Sequence, residues 1–117
     1  MELGRALPPY PEEWKTPERL VAGCQSVLYL NASFESDTIF FHAHADALIS
    51  QGLAALLIQV YSGLPPKLVV LNPPAFLHEL GIFISLSPHR SNGLASIYNR
   101  MRLEAVKYIT TLVHNNI

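Results

Sequence analysis

A single cysteine, Cys24, stands among 117 residues. One thiol excludes an internal disulfide framework. It also excludes an iron-sulfur cluster held by this chain alone, because clusters take several thiolates. Charge is scarce: Asp, Glu, Lys and Arg make up 15% of the residues, against the roughly 25% usual for soluble domains. A surface so poor in charge suits a face that a partner covers. The net charge of -1 gives no electrostatic footprint for nucleic acid. No apolar run approaches the ~18 residues of a membrane span. The opening, Met1 to Pro11, carries charges and three prolines and lacks an apolar signal core. There is no Gly-rich phosphate loop, no Gly-x-Ser-x-Gly turn and no internal repeat. A free thiol fits a reducing cytosol, so the expected location is cytoplasmic.

Hydrophobic residues are 50% of the chain, enough for one folded domain over residues 1–117 with a single core. Pro8, Pro9 and Pro11 limit the opening to a helical scrap followed by loop. Tyr10 and Trp14 are positioned to pack this segment onto the body. Thr16-Pro17-Glu18 suits one short capped turn. Leu20 to Ala22 reads as a short extended piece ending at Gly23. Ser26 to Ala32 reads as a strand, Asn31 to Asp37 as turn chemistry, and Thr38 to Ala45 as the return strand of an antiparallel hairpin. Two strands alone are unstable, so helices or more strands must cover one face.

Asp46 is placed to cap a helix from Ala47 to about Tyr61. Its apolar face is Ile49, Leu53, Leu56, Leu57 and Val60, and Gly63 with Pro65 and Pro66 ends it. Lys67 to Leu71 is ambiguous between strand and linker, and Pro73 or Pro74 can open a short helix through Leu80. Ile82 to Leu86 is apolar. Ser87-Pro88 suits the start of a last helix with the stripe Leu94, Ile97, Tyr98, Met101, Ala105, Tyr108, Ile109 and Leu112. Arg100, Arg102, Glu104 and Lys107 read as its solvated side. Strands first and helices after give an α+β class.

The chemistry-bearing stretch is Gly23-Cys24-Gln25-Ser26. A free cysteine is often a small buried hydrophobe. Against that, Gly23 lets the backbone turn or approach another surface, and Gln25 with Ser26 makes this a polar turn. Filler and nucleophile therefore both stand on the residues alone. His42 and His44 share one strand face, but two ligands make no zinc site, and no spacing joins them to His78, His89 or Cys24. A Cys-His-acid triad can be written with Asp46 or Asp37, but nothing selects its histidine.

Three stretches together carry a resemblance. They are Val21-Ala22-Gly23-Cys24-Gln25-Ser26, then Ala45-Asp46-Ala47-Leu48-Ile49 with Gln51-Gly52-Leu53, then Leu86-Ser87-Pro88-His89-Arg90-Ser91-Asn92-Gly93-Leu94. In this order and spacing the chain resembles the SufE / CsdE family of sulfur-acceptor proteins, from about Met1 to about Tyr108. The resemblance implies the fold of the iron-sulfur scaffold proteins, a small antiparallel β-sheet with helices packed on it. It implies that Cys24 takes sulfane sulfur from a cysteine desulfurase of the SufS/CsdA kind, stimulates that enzyme, and passes the sulfur to a SufBCD-like scaffold complex. The desulfurase uses PLP, and this chain itself needs no bound cofactor and no metal. Gly23, Gln25, Ser26, Asp46 and Arg90 are the implied supporting or partner-binding residues, with Arg90 near the cysteine loop and Gly23 as its pivot.

Thiolate attack on a sulfur-sulfur bond needs one thiol and some electropositive help. A second nearby thiol would resolve the persulfide into a disulfide. The family start is longer than Leu3-Gly4-Arg5-Ala6-Leu7-Pro8 here, which raises the expectation of self-association as a homodimer. The family pattern Gly-Asp-Ser-Asp is Ala43-His44-Ala45-Asp46 in this chain, so only the second acid remains. Two other classes stay open. One is a binding module that regulates a desulfurase without carrying sulfur. The other is a metal or cluster scaffold using His42, His44 and Cys24.

Overall fold

The structure is a computed structural model. It describes residues 7–23, 26–74 and 88–115, the last segment without the side chains of 88–92 and 112–115. Strand β1 (Leu28–Glu35) and strand β2 (Thr38–Ala45) form an antiparallel pair. Helix α1 (Leu48–Tyr61), helix α2 (Pro66–Leu71) and the long helix α3 (Pro88–Asn115) follow. The architecture is the expected α+β one. Two single 3-10 turns, Glu12–Trp14 and Pro17–Arg19, are all the helix the described opening segment has.

The hairpin register pairs Leu28 with Ala45 and Glu35 with Thr38. That leaves two loop residues, Ser36 (φ 51°) and Asp37 (φ 66°). Positive φ at both central residues is the turn whose twist matches the strands. The expected turn at Asn31 to Asp37 is therefore too long, since β1 runs on to Glu35. Asn31 and Ser33 are polar because they lie on the outer face of a strand.

Period-two alternation sorts the faces. Leu28, Leu30, Ile39, Phe41, Ala43 and Ala45 are buried on the inner face. Helix α1 covers β2, and α3 covers β1 while packing on both α1 and α2. Gly52, Leu53, Ala54 and Ala55 are buried in succession, so α1 is enclosed on most sides at its middle. On its expected face Leu53 and Leu57 are buried, but Ile49 in its first turn is 39% exposed. In α3 Leu94, Ile97, Tyr98, Met101 and Ala105 are buried, as the stripe requires. Tyr108 extends it by stacking on Phe34, with ring centroids 3.8 Å apart.

Three local expectations are corrected. Asp46 does not cap α1. The cap is Ala47, in extended conformation and without a side-chain hydrogen bond. Asp46 still belongs to the hairpin end, where its N–H donates to the Val27 carbonyl at 3.2 Å. Lys67 to Leu71 is neither strand nor linker but lies in α2, whose first residue is Pro66. Proline suits that position, because the first helical N–H has no partner to lose. Tertiary contact holds this short helix: the Tyr98 hydroxyl donates to the Val69 carbonyl (2.7 Å) and the Tyr61 hydroxyl to the Asn72 carbonyl (2.6 Å). Burial pushes both phenols above their ordinary pKa, so they stay protonated donors. The third is at Arg100 and Glu104, which pair with each other at 3.1 Å and are mostly shielded from solvent. The helix expected from Pro73 or Pro74, and the stretch Ile82 to Leu86, fall almost wholly outside the described residues.

Each sheet edge is met at one point by irregular chain. Beside β2, Gly63 N–H donates to the Ile39 carbonyl (2.7 Å) and Ile39 N–H to the Leu64 carbonyl (2.9 Å). Beside β1, Val21 N–H donates to the Leu28 carbonyl (2.9 Å), and Leu20 bridges to Tyr29. Exposed edges invite strand addition, and here each is blunted where that bridge forms.

The left-handed φ at Asp37 costs less in glycine. Asp37→Gly is expected to raise stability by about 0.5–1 kcal/mol, read as a higher urea midpoint. A lower midpoint would mean the Asp37 side chain contributes more than its backbone strain costs.

Candidate functional site

The segment Glu18 to Gly23 lies along α3 and then returns into β1. Its anchors on α3 are Ser96 and Arg100, with Glu104 bracing Arg100, and the three are spaced four residues apart and so lie on one helix face. Arg100 Nη1 donates to the Leu20 carbonyl (2.8 Å), Nη2 donates to the Glu18 carbonyl, and Nε donates to Glu104 Oε1 (3.1 Å). The Arg100 and Glu104 side chains are only 19% and 18% exposed. They are not the solvated charges expected from the helix pattern; Arg102 and Lys107, both exposed, are. Lys107 Nζ adds a further ion pair to Glu104 at 3.6 Å.

Gly23 has φ +87°, a conformation glycine adopts freely. It also presses on α3: a Cβ added there would lie 2.5 Å from Ser96 Oγ. Both observations account for the glycine of the Gly-Cys-Gln-Ser turn. On the far side, Ser26 Oγ bonds Ser50 Oγ at 2.6 Å, which ties the loop exit to the first turn of α1. The Val27 carbonyl accepts from Asp46 N–H. Gly23, Ser26 and Asp46 are thus placed at or beside one loop. Asp46 is exposed, with His44 Nε2 3.8 Å from its carboxylate. Cys24 and Gln25 lie outside the described residues. Arg90 falls in the first turn of α3, six residues before Ser96 and hence about 9 Å from it along the axis. Its side chain lies outside the described residues.

Sequence reasoning missed Ser50, Ser96 and Arg100. The spacing of Ser96, Arg100 and Glu104 was visible, but nothing in the sequence showed that a distant segment lay along that face.

The two histidines sit on the outer face of β2, opposite the core. His42 Nε2 lies 2.9 Å from Ser33 Oγ, and its ring meets the Trp14 edge at 5.4 Å. His44 stacks on Tyr10, whose hydroxyl donates to Asn31 Oδ1 (2.6 Å). Tyr10 and Trp14 therefore pack the opening segment onto this face. Among the described residues no three His, Cys, Asp or Glu side chains converge as a metal site would need. No helix among them is long and apolar enough to cross a membrane.

Burial under Trp14 lowers the His42 pKa below its ordinary 6.5. The unfolded chain then binds the proton more readily than the folded one. Stability is expected to fall as pH drops below about 6.5, and to level once the lowered folded value is passed. In His42→Gln that part of the pH dependence should vanish from urea midpoints. An unchanged slope would remove His42 as its source. At the loop entry, Gly23→Ala is expected to cost about 1–2 kcal/mol from its φ. Ser96→Ala in the same chain should restore only the smaller, steric part. Full recovery in that double-mutant cycle would show that space, not backbone conformation, requires the glycine.

Comparison with known proteins adds a second line. The family model described as "SufE: Fe-S metabolism associated domain" matches residues 1–105. An uncharacterized SufE-like protein of Synechocystis is 36% identical over 90% of this chain and 66% of its own length. An uncharacterized SufE-like protein of Rhizobium etli is 38% identical over 90% of this chain and 74% of its own. SufE-like protein 1 of Arabidopsis thaliana, named chloroplastic/mitochondrial, is 36% identical over 91% of this chain, which spans 29% of that protein. The solution structure of a hypothetical protein from Thermus thermophilus superposes with a TM-score of 0.79 at 25% identity, covering 93% of this chain and 80% of that one.

Proposed function

The chain belongs to the SufE family and so has a part in iron-sulfur metabolism; from that premise we propose that it is a sulfur carrier, with Cys24 as the acceptor. The observation that carries the reading is the anchored loop. Its two stems are held at Gly23 on α3 and at Ser26 on α1, and between them lie only Cys24 and Gln25, with the one thiol of the chain.

The step is a thiol-persulfide exchange. The Cys24 thiolate attacks the outer sulfur of a persulfide on the desulfurase cysteine. A sulfur-sulfur bond forms at Cys24 as the old one breaks, and the electron pair of the old bond leaves with the desulfurase cysteine as thiolate. Sulfur moves at the sulfane level, so no outside oxidant or reductant enters. Clearing its persulfide frees the desulfurase for another turnover, which accounts for stimulation. The PLP belongs to that partner. A second exchange hands the sulfur on to a scaffold complex that builds the cluster.

Arg90, at the start of α3, supplies the positive charge that favours the thiolate. Gln25, Ser26 and Asp46 belong to the docking surface. Exposed Val27, Leu48 and Ile49 flank the loop exit and give that surface its apolar part. A thiol that must stay reduced suits a reducing compartment such as the cytosol.

Incubation with cysteine and a PLP-dependent cysteine desulfurase is expected to add the mass of one sulfur atom at Cys24. Cys24→Ser is expected to lose both the adduct and the stimulation. No adduct on the unaltered chain would sink the carrier reading. Stimulation that survives in Cys24→Ser would make the protein a regulatory binding module instead.

A further inference from the structure

We infer that Arg100 is a positioning residue for Cys24, acting through the chain segment that leads to it. What the loop does rests on the carrier reading above; how it is held does not.

Each of the three nitrogens of the Arg100 guanidinium donates one hydrogen bond. Two go to carbonyls of the entering segment, Leu20 (2.8 Å) and Glu18, and one goes to Glu104 (3.1 Å), which orients the fork. A planar fork of this kind holds two backbone acceptors in fixed relation, which the point charge of a lysine cannot do. Nearer the loop the entering segment has ties of its own, and the Val21 side chain is buried in the core. Val21 N–H donates to the Leu28 carbonyl, Leu20 bridges to Tyr29, and Gly23 rests against Ser96 one turn before Arg100. Successive Cα atoms are about 3.8 Å apart, so Cys24 follows any displacement of Gly23 closely. The exit stem is held separately, through Ser26 and Ser50. Loss of Arg100 therefore removes the side-chain hold on one stem, whose strand pairing at Val21 remains, and leaves the other stem untouched. A misplacement of about 1 Å between reacting groups can cost on the order of 100-fold in rate.

The test compares the full chain with Arg100→Ala, Arg100→Lys and Arg102→Ala. Arg102 is exposed on the same helix, and its removal takes away the same charge without touching the segment. Sulfur acceptance by Cys24 from a persulfide-loaded cysteine desulfurase is followed by intact mass, below the melting temperature of every variant. Alkylation of Cys24 by iodoacetamide is measured beside it. Arg100→Ala is expected to lower the maximal rate of acceptance about tenfold or more, with a smaller change in half-saturation. Its alkylation should rise about threefold or more as the stem loosens. Arg100→Lys should fall between, and Arg102→Ala should match the unaltered chain. A merely structural role would shift melting and leave maximal rate and alkylation together at their unaltered values. The inference is overturned if Arg100→Ala accepts sulfur within about twofold of the unaltered chain, or if Arg102→Ala loses as much. If the unaltered chain accepts no sulfur, the carrier reading fails. Alkylation then decides the clamp: a rise in Arg100→Ala keeps it, and no change overturns it.

Discussion

Everything in this molecule follows from the need to cover the inner face of a two-stranded hairpin. Such a hairpin is marginal alone in water. Leu28, Leu30 and Ile39 are fully excluded from solvent, and Phe41, Ala43 and Ala45 nearly so. Each strand gets one helix, α1 on β2 and α3 on β1. Because α3 also packs on α1 and α2, it is the common wall against which the other elements are placed. The small side chains at Ala43 and Ala45, and along Gly52, Ala54 and Ala55, suit close approach of helix to sheet. Irregular chain bridges each edge at one point: the turn after α1 on one side and the entering segment on the other.

That second bridge puts the loop where it is. The entering segment must lie between β1 and α3 to satisfy both, and it then has to turn sharply to start β1. Gly23 makes the turn with a positive φ while touching Ser96. Arg100 binds carbonyls that neither β1 nor a helix satisfies, consistent with the cost of leaving backbone acceptors without donors in a partly buried place. The same contacts that complete the fold therefore set the stems of the loop that carries Cys24. The scarcity of charge sharpens the point. Of eight Lys and Arg residues, Arg100 lies half-buried against backbone, where a merely solvated charge has no reason to be.

The outer face of the hairpin works differently. It is covered by Tyr10 and Trp14 over Tyr29, His42 and His44, a layer of rings in place of a helix. The histidines that suggested metal ligation in the sequence are the polar edge of this layer. Their spacing of two follows from strand alternation, which puts them on one face whether or not they bind anything.

The sequence by itself determined the elements whose signals are local and repeated. Strand-favouring residues on either side of turn chemistry specified the hairpin, and the three-four spacing of Leu94, Ile97, Tyr98, Met101 and Ala105 specified the buried stripe of α3. The likeness of three short stretches to one family specified the class of protein and pointed to the Gly23–Ser26 turn. Only the tertiary structure decided what depends on partners distant in the chain. Helix α2 is six residues long, too short to announce itself by period, and it is held by the hydroxyls of Tyr61 and Tyr98. Asp46 looked like a cap because its residue type suits one, but backbone pairing with Val27 shifted the helix start past it. Arg100 looked solvated because its neighbours in the helix pattern are polar. Its true neighbours, Glu18 and Leu20, lie 82 and 80 residues away in the chain. Periodicity reports which face of an element is apolar, and it carries no information about which remote backbone a polar face will meet.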